Sequence, residues 1–192
     1  MEATVGRARE SSRRSGNGRL IGILLIGAAV AVSLGVYGRV HDPTGRSLVT
    51  LVFTRSINLK VWFATIAFAL ALFQLGSSLR IYGKIGHGRA PRWLRPAHRL
   101  SGTLAFLFVI PVAYHCLWAL GFQPHQGVRV LAHGVAGCFF FGALTSKVLI
   151  VRSRRMPSWT LPVVGGALFA AFTVIWLSSA LWFFTTVEFP GL

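Results

Sequence analysis

Five apolar runs, each about as long as a membrane-crossing helix requires, alternate along the chain with short polar, mostly basic segments. The runs are Leu20–Gly38, Val61–Leu79, Ser101–Phe122, Val130–Val151 and Leu161–Val187. The fourth is interrupted only by His133 and Lys147. A soluble core could hide one such run but not five. The pattern therefore predicts an all-α membrane protein: a bundle of about five transmembrane helices spanning residues 20–187 of a multi-pass protein of the cell membrane.

The flanks complete the picture. Residues 1–19 are polar and rich in Ser, Gly and Arg, the composition of a disordered tail. Residues 188–192 form a short tail at the other end. Ala29-Val30-Ala31 resembles a signal-peptide cleavage box, but the apolar run starts well before it and continues to Tyr37, which favours an uncleaved anchor. Asp42-Pro43-Thr44-Gly45 marks a turn in the long connection between the first two runs, and Ser47–Thr54 (SLVTLVFT) alternates weakly, as a segment lying along a membrane surface would. Pro96 sits where a helix start tolerates it, since its missing N–H costs nothing there.

Composition then settles what the charges mean. Apolar residues make up 54% of the chain and charged residues only 12%, with a mean hydropathy of +0.63. The net charge of +16 would suit nucleic acid if it lay on one soluble face. Here the basic residues lie between apolar runs, where they orient helices during insertion and attract anionic lipid. With the N-terminus in the cytoplasm, the cytoplasmic segments hold 14 Lys and Arg and the opposite side holds 5 (Arg39, Arg46, Arg55, Lys60 and Arg129). That asymmetry predicts a cytoplasmic N-terminus and a C-terminus outside.

Candidate chemistry is confined to few side chains. Cys116 and Cys138 are both within apolar runs, and no Cys-x-x-Cys motif occurs, so free thiols packing as small hydrophobes are expected. No carboxylate lies within a run, which argues against a cation-coupled transporter and leaves no acid–base pair for hydrolysis. Gln74 is expected to hydrogen-bond across the bundle. His115 and His133 stand out, because an ionisable side chain inside a span is a functional candidate by default. His115 precedes Phe122 by seven residues and His133 follows Arg129 by four. At about 1.5 Å per residue both lie about 6–10 Å below the outer face. A uniform period of about 3.6 puts Leu104, Phe108, Pro111, Val112 and Trp118 beside His115, and Gly137, Phe140, Leu144 and Lys147 beside His133. Two imidazoles at one depth, with Gly134 and Gly137 allowing close approach, suit the axial ligation of a b-type haem. The plainer alternative is that they hydrogen-bond each other or backbone carbonyls.

The segments WLRPAHRLSGTLAFLFVIPVAYHCLWALGFQ, RVLAHGVAGCFFFGALTSKVLIVRSRRMPSWTLPVVGG and LSSALWFF, which together cover Trp93 to Phe184, resemble an actinobacterial membrane family of unknown function. Locally, the HRLSG of His98–Gly102 and the HGVAG of His133–Gly137 are similar to the HR-x-x-G and H-x-x-x-G helix starts of transmembrane b-type cytochromes. That resemblance implies a haem ligand at His133 and, nominally, at His98, with electrons passing to a quinone or a membrane redox partner. The chain departs from the pattern in lacking four ligands and in carrying its depth-matched pair on consecutive helices. Helices packed about 8–10 Å apart leave little room for a haem unless they splay, and Pro111 could supply a kink. A second expectation, from a different class, is a non-catalytic accessory or assembly subunit whose glycine-rich helix faces, Gly165 and Gly166 included, pack on a partner.

Overall fold

The chain was studied as a computed structural model that describes residues 2–46, 53, 55–153 and 156–187, with backbone alone for 2–15. Ser47–Thr54 lies outside the described residues except for Phe53, whose ring meets Phe63 edge-on, and so does the 188–192 tail. All five apolar runs are helical: α1 (Glu2–Val40), α2 (Ser56–Ile81), α3 (Leu94–Tyr114), α4 (Val128–Arg152) and α5 (Thr160–Trp176). Two of them continue with altered pitch. α3 passes into a π-helical segment, π1 (His115–Leu120), and α5 into π2 (Leu177–Leu181), which ends in a short α6 (Trp182–Thr186).

Among the described residues, five stretches are long and apolar enough to cross a membrane: Gly16–Val40, Ser56–Ile81, Leu94–Leu120, Val128–Arg152 and Thr160–Thr186. Most extend a few residues beyond the apolar runs, because helical backbone continues into flanks whose side chains are polar. The largest difference is at the N-terminus. Residues expected to form a disordered tail have helical backbone continuous with α1, although the stretch is rich in Ser, Gly and Arg.

The helices do not pack in chain order. α3 packs on α2, α2 on α5, α5 on α4 and α4 on α1, and π1 reaches α1 to close the ring at one end. Lipid tails are as apolar as leucine, so such a bundle is held by close packing and hydrogen bonds rather than by the hydrophobic effect. Each contact shows one of these. Between α1 and α4, a Cβ added to Gly142 would lie 2.5 Å from the carbonyl oxygen of Gly27, so the two backbones touch directly. Between α2 and α3, the Gln74 amide donates to the carbonyl of His98 and to Ser101 Oγ (2.7 Å), as expected for that residue. Between α2 and α5, Trp176 stacks on Phe68 at 4.6 Å and its indole N–H donates to Thr65 Oγ1 (3.2 Å). A central cluster of Ala67, Val109, Phe140, Ala171 and Phe172 joins α2, α3, α4 and α5 at mid-depth. Large side chains such as Leu24, Leu25, Val36, Leu107, Phe139 and Val163 face outward, the reverse of a soluble surface.

The α2–α3 clamp gives a direct expectation. Gln74→Leu should lower the stability of the purified protein by about 1 kcal/mol, the scale of hydrogen bonds between membrane helices. A thermal unfolding series in detergent reads this out, and a variant as stable as the parent would remove the clamp from the account.

Candidate functional site: a cavity between helices α3 and α4

α3 and α4 are consecutive in the chain but make no extended contact with each other. The Gln74 cluster holds α3 to α2, and the glycine crossing holds α4 to α1. A cavity of about 560 Å³ opens between them at the end where residues 121–127 join them. This is within the range of about 300–1,000 Å³ that accepts small organic ligands. The central cluster forms its floor through Val109, Phe140 and Phe172. The consecutive helices thus stand apart instead of packing tightly, which supplies the room that chain order alone seemed to deny.

Both π segments border this space. In a π turn the hydrogen bonds run from i to i+5, which widens the helix and rotates the following side chains, and such turns recur at functional sites. π1 contributes Cys116, Leu117 and Ala119 to the wall, and π2 contributes Ser178, Ser179 and Ala180. The end of π1 is tied down by the α1–α2 connection. Thr44 and Gly45 donate their backbone N–H groups to the carbonyls of Trp118 (3.4 Å) and Ala119 (3.1 Å). His41 stacks on Tyr37 and its Nε2–H donates to the Trp118 carbonyl at 3.3 Å. His41 therefore links α1 to π1.

His133 lines the cavity from α4, while His115 is not among its lining residues. Ser178 Oγ donates its one proton to the Val174 carbonyl (2.6 Å), so at its 3.2 Å contact with His133 it accepts from Nδ1–H. In the neutral ring that tautomer carries its lone pair on Nε2. His115 is 3% exposed, and its Nδ1 lies 3.4 Å from the Pro111 carbonyl. Its Nε2 is buried with no hydrogen-bond partner among the described residues. The two imidazoles matched by depth are thus not brought to one cavity: the face of α3 and π1 that lines it carries Val109, Val112, Ala113, Cys116 and Leu117, and His115 is not on it. His98 is at the other end of α3, where its Nδ1 meets Ser77 Oγ at 2.7 Å in the α2–α3 clamp.

The remaining polar wall was not picked out from sequence. Lys60 of α2 and Arg129 of α4 both line the cavity near the 121–127 connection. Arg129 donates to the Ser178 carbonyl (2.6 Å), and its guanidinium carbon is 3.8 Å from the Trp182 ring centre. The i, i+4 spacing of Arg129 and His133 was a visible sign that they share a face, whereas Ser178 and Lys60 come from helices distant in sequence. Of the two glycines expected to allow close approach, Gly134 is covered, since an added Cβ would be 2.7 Å from the Phe122 ring. Gly137 is open, with nothing within 4 Å of its added Cβ, and it lines the cavity. Cys116 and Cys138 are free thiols, and both line the same space.

Fold and site together define an integral membrane protein of five helices with a largely apolar cavity, cationic at one end. The chain belongs to a family described as a family of unknown function (DUF6529), whose pattern matches residues 20–191 and so takes in every span and the whole cavity. No curated protein and no solved structure matches it significantly.

Proposed function

We propose that this protein binds a lipid-soluble, amphipathic small molecule in the cavity between α3 and α4. The observation that carries the reading is the cavity's make-up: about 560 Å³ with a floor of Val109, Phe140 and Phe172, and charged or hydrogen-bonding groups gathered near one end. By the charge asymmetry of the connections, that end faces away from the cytoplasm, within the outer leaflet. A reporter active only outside the cell, fused after residue 46 or at the C-terminus, should be active. The same fusion at the N-terminus should be silent, and the opposite pattern would invert the proposed topology.

A b-type haem is the narrower form of this reading, with transfer of electrons to a quinone or a redox partner as its function. His133 supports it, because an imidazole whose Nδ1–H is held by an acceptor presents Nε2 to a metal in the usual way. Lys60 and Arg129 would suit the propionates. Ligation by the His115–His133 pair has less support, since His115 does not line the cavity. Haem bound here would have His133 as its one imidazole ligand, and its own chemistry would be electron transfer.

The test is to purify the full chain in mild detergent, record its visible spectrum and identify retained small molecules by mass spectrometry. A retained molecule is expected, and a reduced-minus-oxidised α band lost in His133→Ala would select haem. A folded, colourless protein that retains nothing and takes up no amphiphile would end the reading.

A role as an accessory subunit is favoured by one observation: added Cβ atoms on Gly165 and Gly166 of α5 would meet nothing within 4 Å. That leaves room for a partner helix. Gly166→Leu should then release a partner that co-purifies with the parent chain, and a parent that always migrates alone would count against it.

A further inference from the structure

We infer that the molecule bound in the cavity is an anionic, single-chain amphiphile, its carboxylate or phosphate head held between Lys60 and Arg129 and its chain directed toward Phe140 and Phe172. This rests on the cavity being a binding site and adds the class of its ligand. Among the described residues, two cations line the cavity and no acidic side chain does. The Lys60 ammonium has no hydrogen bond or ion pair with any described residue. The Arg129 guanidinium is fixed by the Ser178 carbonyl and the Trp182 ring, which orient it without neutralising it.

Two cations beside one apolar space, one of them held in place, favour an anion between them through charge-assisted hydrogen bonds. The backbone adds to this. α4 begins at Val128 with no side-chain cap, so the positive end of a 25-residue helix dipole lies at the same mouth. Deeper in, the cavity offers no further charge: His133 lies one turn below Arg129, and beyond it the floor is aliphatic and aromatic. The space thus places an anion-binding end next to a chain-binding end.

The full chain in neutral detergent, titrated with stearate brominated in mid-chain, should lose tryptophan fluorescence, because Trp182 and the cavity share a wall. Stearyl alcohol brominated at the same position is the uncharged control, and dodecyl phosphate and inorganic phosphate serve as competitors. Stearate and dodecyl phosphate should bind at least about 10-fold more tightly than the alcohol, the scale of one charge-assisted hydrogen bond. Lys60→Met combined with Arg129→Gln should erase that preference, acid and alcohol then binding alike, and Arg129→Lys should preserve it. Whether the carboxylate or the phosphate binds more tightly identifies the head group.

Equal binding of acid and alcohol, or a preference that survives loss of both cations, overturns the anionic head and leaves the cavity reading standing. Inorganic phosphate competing as well as dodecyl phosphate would overturn the amphiphile, since the site would then take a free anion. If neither acid nor alcohol binds, the single-chain amphiphile is overturned, and the cavity reading falls with it only where the purified protein also retains no molecule of its own.

Discussion

Replacing Gly142 with leucine is expected to destabilise the protein by more than about 3 kcal/mol, beyond the usual cost of overpacking a core. The reason is that both partners in the clash are backbone. An added Cβ at Gly142 would lie 2.5 Å from the Gly27 oxygen and 3.0 Å from Ala31 Cβ, and one at Gly27 would lie 2.6 Å from the Gly142 oxygen. No rotamer relieves such contacts, so α1 and α4 must separate. Their separation also removes the contact of Ser146 Oγ with the Ile23 carbonyl. Size-exclusion chromatography and thermal unfolding should show little monodisperse protein. Gly76→Leu is the matched control, since nothing lies within 4 Å of a Cβ there and normal behaviour is expected. If Gly142→Leu behaved like Gly76→Leu, the glycine crossing would not hold α1 to α4.

Gly137→Leu, five residues away on the same helix, should do the opposite. Its added side chain enters open space in the cavity, and replacing a mid-helix glycine raises helix propensity by up to about 1 kcal/mol. The variant should fold at least as well as the parent and lose most of its capacity to bind an amphiphile, by about 10-fold or more, because the chain-binding end is filled. Binding of brominated stearate together with a melting curve separates the two effects. A variant that kept full affinity would place the ligand elsewhere, and one that failed to fold would mean Gly137 has a packing role.

These two glycines show where sequence reading succeeds and where it stops. The spans were legible because twenty apolar residues free of charge have few other uses, and the inter-helix role of Gln74 followed from its being the one strongly polar residue in its run. The partner of each helix was not legible. Nothing in the residues around Gly142 says that they meet Gly27 rather than a lipid, and neighbours in the chain are the default expectation that α3 and α4 violate. The depth of His115 and His133 could be estimated from rise per residue. The direction of His115 could not, because rise per residue gives depth and says nothing of which helix or cavity each face meets. The tautomer of His133 depends on Ser178, 45 residues away, and no local motif announces that contact.

The Gly27–Gly142 crossing also bears on how the protein is made. Gly142 follows Gly27 by 115 residues, so at about 5–20 residues per second α1 exists for roughly 6 to 23 s before its principal partner has been synthesised. During that interval it must persist in the bilayer alone, which its apolar surface on nearly every side allows. A nascent chain halted after α3 should therefore be stably inserted and yet exposed to proteases of the membrane quality-control type. Protection should arrive as a step when α4 emerges, not gradually with each added helix.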